Sequence, residues 1–341
     1  MAKLFATFKR WMMKRVGHLI EQIACIDNLY MAYHKACRGK QRKTEVKRFA
    51  ERLDENILQL RQGILDDNVP VGNYHYFQIR DPKERQICAA PFEERVLHHA
   101  IMNVCHPFFD KTLIDTTYAT RKGKGIYAAL DEAKTALGRY EHTVKLDFRK
   151  YYDSISHDVL KQKLRRLFKD ERLLRLFDKI IDTYCVEKGK GLPIGNLTSQ
   201  YFANTYLSSL DHRAKEQWHV PVYIRYMDDI LIAGNDKTEL VECVRQMVEY
   251  AAEALQLTFK PPIYRKSKDG QVFLGYRVLP CFCRLSGRSK RRFRSKLLKY
   301  ERHLERNEWN EQTYQEHIVP LLAFTGHADS KAFRRACMNI G

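Results

Sequence analysis

Two short apolar runs, Val222-Tyr223-Ile224-Arg225 and Ile230-Leu231-Ile232-Ala233, flank Tyr226-Met227-Asp228-Asp229. Such runs, rich in β-branched and aromatic residues, predict two strands of a buried sheet joined by a tight hairpin, with an acidic turn at the sheet edge. Adjacent carboxylates placed there suit metal ions. Asp-Asp is also a common solvated turn, so the pair acquires meaning only if a further carboxylate converges on it. Thr143-Val144-Lys145-Leu146-Asp147-Phe148 supplies one, as a second short alternating strand ending in an acid and followed by Arg149-Lys150-Tyr151-Tyr152-Asp153. Nucleotidyl transfer by two divalent ions needs carboxylates from separate strands, holding the metals about 3.5–4 Å apart.

At these residues the chain resembles the reverse transcriptases, in which a catalytic Asp on one palm strand faces a Tyr-x-Asp-Asp hairpin on the next. The resemblance implies an α+β right-hand polymerase with fingers, a palm built on an antiparallel sheet, and a helical thumb. Asp147, Asp228 and Asp229 would be both the catalytic residues and the ligands of two Mg²⁺ ions, with Mn²⁺ as an alternative. Between the acidic strands, Gly191-Leu192-Pro193-Ile194-Gly195-Asn196-Leu197-Thr198-Ser199-Gln200 runs into an apolar, helix-like stretch, Tyr201 to Leu207. Glycine permits a close backbone approach to a nucleotide, and Ser199 or Gln200 at a helix entrance can hydrogen-bond a base. On chemistry alone, the same loop also reads as a cap on a core helix.

Most reverse transcriptases carry Gln-Gly-x-x-x-Ser-Pro in that loop. The Ile194-Gly195-x-x-x-Ser199-Gln200 form is similar to that of diversity-generating retroelement enzymes, where it lies beside the templating pair and accompanies misincorporation opposite adenine. Ile194, Gly195, Ser199 and Gln200 are therefore expected to touch the substrate. That subfamily implies a structured template RNA, an RNA/cDNA duplex, deoxynucleoside triphosphates and a small basic accessory protein oligomer as partners. The alternatives are an antiphage defence reverse transcriptase copying its own noncoding RNA, or a basic RNA-binding scaffold without catalysis.

Further segments occur in the family's order. Phe77 to Ile87 resembles the fingers hairpin, with Arg80, Lys83 and Arg85 as candidates for holding a triphosphate, where cations offset charge on the leaving group. Tyr118 to Ile126 resembles the segment before the palm, with Arg121, Lys122 and Lys124 as nucleic-acid contacts. Tyr152 stands where the family places a ring against the sugar, which would exclude a 2′-hydroxyl, and Tyr151 is expected to face the core as its strand neighbour. Phe273-Leu274-Gly275-Tyr276 matches the primer-grip hairpin and makes Gly275 a nucleic-acid candidate. Lys260 matches best the lysine that protonates pyrophosphate, with Lys266 and Lys268 as nearby alternatives.

A formal net charge of +19 points to a polyanion as partner. No apolar run reaches transmembrane length, so no membrane role is expected. Nine cysteines without paired spacing and no secretory signal fit reduced thiols in a cytosol, and the resemblance to the retroelement enzymes implies a bacterial or phage-encoded cytoplasmic protein. The apolar content of 44% supports two or three subdomains, expected as a basic extension at 1–15, fingers at 16–120, a palm with inserted fingers helices at 121–280, and a basic helical thumb at 281–341. The basic, aromatic-interleaved segment 1–15 reads as a helix that binds RNA or packs on the fingers. Helical spacing links Phe49, Leu53, Ile57, Leu60 and Ile64, runs again from Ala90 to Phe109, and recurs at Phe293, Leu297, Tyr300 and Leu304. The last of these helices carries Arg291, Arg292 and Arg294 on its outer side, suited to tracking a duplex backbone. The residues after Tyr276 are too few for a separate RNase H or integrase module.

Overall fold

The computed structural model describes residues 16–80 and 84–338. The segment 1–15 and Lys83 lie outside them. The chain divides into two compact units. The first comprises residues up to Ile114 with Arg149–Ser209 and Ala251–Leu257; the second comprises Asp115–Phe148, Leu210–Tyr250 and the chain from Thr258 onward.

The first unit is mostly helical. Helices Ile26–Cys37, Thr44–Glu51 and Leu53–Leu65 precede a hairpin of β1 (His75–Arg80) and β2 (Glu84–Ala89), and the long helix Phe92–Asp110 follows it. The apolar period from Phe49 to Ile64 is shared by two helices rather than one. Arg52, at φ −131° and ψ 49°, breaks it and serves as both the C-cap of one and the N-cap of the next. Phe49, Ile57, Leu60 and Ile64 are nevertheless buried, as their spacing requires. Helices His157–Leu167, Glu171–Asp182 and Leu197–Tyr206 complete this unit around interlocking rings of Phe109, Phe168, Phe177 and Phe202. Each ring meets its neighbours edge-on or tilted, the arrangement that aromatic quadrupoles favour.

The second unit holds a four-stranded antiparallel sheet in the order β4-β5-β3-β6, from β3 (His142–Asp147), β4 (Val222–Tyr226), β5 (Asp229–Gly234) and β6 (Ile263–Lys266). In β5 every residue after Asp229 is buried, as expected of a central strand covered on both faces. Helix Ile126–Arg139 contributes Ala129, Leu130, Ala133, Ala136 and Leu137 to one core with Ile224, Leu231 and Ala233. A second sheet, β7 (Gln271–Phe273), β8 (Tyr276–Val278) and β9 (Cys283–Leu285), adds Phe273, Tyr276 and Val278 to that core. Helices Gly287–Glu305, Glu311–Gly326 and Lys331–Met338 follow, packed through Phe293, Leu297, Ile318 and Cys337. Leu274 and Gly275 both have positive φ, 49° and 87°, which makes Phe273-Leu274-Gly275-Tyr276 a tight two-residue hairpin. Among the described residues, no helix is long and apolar enough to cross a membrane.

Candidate active site

The acidic turn forms as its flanking strands demand. Antiparallel pairing of β4 with β5 sets Tyr226 opposite Asp229 and leaves Met227 and Asp228 as the turn. Met227 takes φ 53°, a left-handed conformation that costs a side-chain-bearing residue about 1–3 kcal/mol unless its surroundings impose it. On the other side, β3 pairs with β5 in a register that places Asp147 directly opposite Asp229. Side chains at directly opposed positions share a face of the sheet, so the two carboxylates from separate strands converge beside Asp228.

Two lysines answer this concentration of negative charge. Lys145 lies two residues before Asp147, hence on the same face of β3, and its Nζ is 2.9 Å from Asp229 Oδ1. Lys260 donates its backbone amide to the Asp147 carbonyl at 2.8 Å and brings its Nζ to 2.6 Å from Asp147 Oδ2. The anchor for Lys260 is its neighbour Phe259, whose ring stacks on Phe148 with centroids 4.0 Å apart. Of the three candidate lysines, the structure brings Lys260 to the acids, while Lys266 and Lys268 are exposed outside the cluster. Lys145 was not singled out from sequence, although its i−2 position on an alternating strand was a usable signal.

Among the described residues, the lysines at the cluster pair with Asp229 and Asp147 rather than with Asp228. Burial, followed by the charges of Asp229 and Asp147, pushes its carboxyl up to about 6 from the usual 3.8. An acid held up by burial and like charge is relieved by a cation. Among the described residues no three acidic, histidine or cysteine groups close around one point as a finished cage. Two of the three carboxylates are occupied by ammonium groups instead. The donor set, all carboxylate oxygen and already drawing cations, fits hard divalent ions such as Mg²⁺.

In the first unit, the loop before helix Leu197–Tyr206 is fastened to the hairpin strand β2. Ile194 accepts a hydrogen bond at its carbonyl from the Cys88 amide at 2.8 Å. Gly195 sits at φ 121°, and a β-carbon there would come within 3.1 Å of the Cys88 carbonyl and the Ile87 side chain. The close approach that glycine permits here is to β2, the strand that also carries Arg85. Ser199 is buried and Gln200 exposed, so of the two only Gln200 is presented to solvent. Arg80 forms an exposed ion pair of 3.5 Å with Glu84 across the hairpin end. Tyr152 accepts the Leu192 amide at its carbonyl. Tyr151 is buried as expected, but through a helical turn, Tyr151–Ser154, rather than strand alternation, and its hydroxyl donates to the Ala203 carbonyl.

Elsewhere in the second unit, Arg121 donates to the Thr117 carbonyl at 3.1 Å and Lys124 pairs with Asp115 at 3.1 Å, while Lys122 is exposed. The Gly275 carbonyl accepts from the Ser289 hydroxyl at 2.6 Å and the Ser286 amide at 3.1 Å, which ties the hairpin to the start of helix Gly287–Glu305. Arg291, Arg292 and Arg294 are exposed along that helix.

Residues 79–278 match the family model described as reverse transcriptase (RNA-dependent DNA polymerase). The chain belongs to the reverse transcriptase family. The mixed helix-and-strand architecture agrees with the α+β right-hand polymerase class expected from the sequence. Protein YkfC of Escherichia coli is 22% identical over 285 residues, covering 67% of this chain and 74% of YkfC. The putative COX1/OXI3 intron 1 protein of Saccharomyces cerevisiae is 23% identical over 211 residues, 58% of this chain and 25% of that protein. Among solved structures, an apo telomerase from Candida tropicalis overlays with a TM-score of 0.48 at 12% identity, covering 62% of this chain and 55% of that one.

Proposed function

We propose that this reverse transcriptase is an active RNA-directed DNA polymerase that extends a primer along a structured RNA. The carrying observation is the register that sets Asp147 opposite Asp229, next to a half-buried Asp228, with Lys145 and Lys260 on the acids. Asp147, Asp228 and Asp229 would hold two Mg²⁺ ions. When bound, these would activate the primer 3′-hydroxyl toward the α-phosphate and steady the pyrophosphate that leaves. Lys260, paired with Asp147 in this structure, would donate a proton to the departing pyrophosphate. Arg85 and Lys83, with Arg80, would bind the triphosphate, and Tyr152 would close against a 2′-hydroxyl. Arg121, Lys122, Lys124 and Gly275, with the exposed arginines of helix Gly287–Glu305, would follow the phosphates of the duplex.

The Ile194-Gly195-x-x-x-Ser199-Gln200 loop supports a narrower reading, synthesis that is error-prone at template adenines, as in a diversity-generating retroelement with a basic accessory oligomer. The exposed Gln200, at the first turn of its helix, is the side chain of that loop most available to a base. Sequencing cDNA made by the purified protein in Mg²⁺ and four deoxynucleotides tests both readings. Mutant-sensitive cDNA with substitutions concentrated at adenines supports the narrower one. Faithful cDNA leaves the polymerase and removes the error-prone role.

A further inference from the structure

Beneath the acidic turn lies a charge that the reaction scheme above does not use. Arg225 on β4 is fully buried, and so is Asp211 of helix Ser208–Glu216, its partner. Arg225 Nε donates to Asp211 Oδ1 at 2.7 Å and Nη2 to Oδ2 at 2.6 Å, a two-pronged pairing of guanidinium with carboxylate. Tyr223, two residues earlier and so on the same face of β4, donates its hydroxyl to Asp211 Oδ1 at 2.7 Å. The remaining prong points forward: Arg225 Nη1 donates to the Met227 carbonyl at 3.0 Å. Met227 is the left-handed residue of the turn and directly precedes Asp228.

Burying an ion pair is a poor way to gain stability. Desolvation offsets the attraction, and well-packed apolar residues often do as well or better. A buried pair whose spare donor grips one strained carbonyl is better accounted for as a geometric device. The backbone of the same residue extends the device upstream. The Arg225 carbonyl accepts the Tyr118 amide at 2.9 Å, and its amide donates to the Thr116 carbonyl at 3.0 Å, stitching segment 116–118 parallel to β4. Thr117, in the middle of that stitch, accepts Arg121 Nη1 at 3.1 Å. One residue thus connects the helix of Asp211, the segment leading to the basic loop, and the turn that bears Asp228.

We propose that Arg225 is a positioning residue for the metal-binding turn. Its fork, fixed by Asp211 and Tyr223, holds the Met227 carbonyl so that the left-handed turn presents Asp228 beside Asp147 and Asp229. A lysine in its place can pair with Asp211 but lacks the planar set of donors that serves Asp211 and Met227 together.

The inference rests on the polymerase reading, and its test separates the two. Asp211→Asn with Arg225→Met removes both buried charges while leaving Tyr223 an acceptor, and Arg225→Lys is the second variant should the first not fold. For each, the chain-extension rate, the half-saturating Mg²⁺ concentration, duplex affinity and melting temperature are measured, together with Mn²⁺ binding by electron paramagnetic resonance. In the double variant a displaced turn lowers kcat about 100-fold and weakens metal binding about 10-fold, with duplex affinity and melting temperature close to wild type. In Arg225→Lys the same changes appear in smaller measure. Folded variants with wild-type kcat and metal affinity overturn the inference, as does a loss that follows melting temperature and duplex affinity alone. If the wild-type protein extends no primer, the polymerase reading falls, and Mn²⁺ affinity compared across the variants still decides the role of Arg225.

Discussion

Asp228→Asn removes one acidic group, and without metal it should make the protein more stable at neutral pH. The folded chain raises the Asp228 carboxyl from 3.8 to about 6, mainly by burial and then by the charges of Asp229 and Asp147. The folded protein therefore keeps this proton to higher pH than the unfolded chain does. The stability contributed by the protonated group is fully present below pH 3.8 and is lost as pH rises through about 6. A shift of this size corresponds to about 3 kcal/mol as an upper bound. Solvent still reaches part of the side chain, so screening reduces the expected gain for Asn to about 1–2 kcal/mol. Asparagine keeps the shape and never carries the charge. Denaturant unfolding in EDTA should show the variant more stable than wild type at pH 8, with the difference shrinking as pH falls through about 6 and vanishing only below pH 3.8. Adding Mg²⁺ should reverse the order, because ligand binding stabilises only the chain that binds it. A variant destabilised equally at pH 5 and pH 8 would refute the argument that like charge and burial load this turn.

Three further outcomes follow from the geometry. Gly195→Ala forces a side chain into a left-handed backbone against the Cys88 carbonyl and should cost about 1–3 kcal/mol, read by denaturant titration, with lowered nucleotide affinity if the loop shifts on β2. Lys260→Met should lower kcat about 100-fold while leaving duplex affinity unchanged, measured by single-turnover extension; an unaffected rate removes Lys260 from the chemistry. Replacing Arg291, Arg292 and Arg294 by Ala should reduce the slope of log affinity against log salt by about 2–3, and an unchanged slope places the nucleic acid elsewhere.

The acidic strands were legible because strand alternation leaves little freedom. Once Thr143–Asp147 and Ile230–Ala233 are central strands, their acids must fall at the strand ends on a common rim. The helix at Leu197–Tyr206 and the basic helix from Gly287 were likewise visible in their periodicity, while the hairpin of β1 and β2 was expected only from the family resemblance. Contacts distant in sequence were not visible. Asp211 and Arg225 lie 14 residues apart on a helix and a strand, and only tertiary packing makes them one buried pair. Gly195 announced a close backbone approach, expected toward a nucleotide, and its near neighbour within the protein is the Cys88 carbonyl. Tyr151 was placed inward for the wrong reason, since four helical residues obey a different period from a strand. Arg52 divided what spacing presented as one helix, because its backbone angles, not its side chain, end the run.

The most direct measurement is primer extension on an RNA template by the purified chain in Mg²⁺, set beside the folded Asp228→Asn/Asp229→Asn variant. Catalysis by these carboxylates requires DNA products from wild type, none from the variant, and equal RNA affinity for both. Equal product from the two proteins would contradict the assignment of these carboxylates to catalysis.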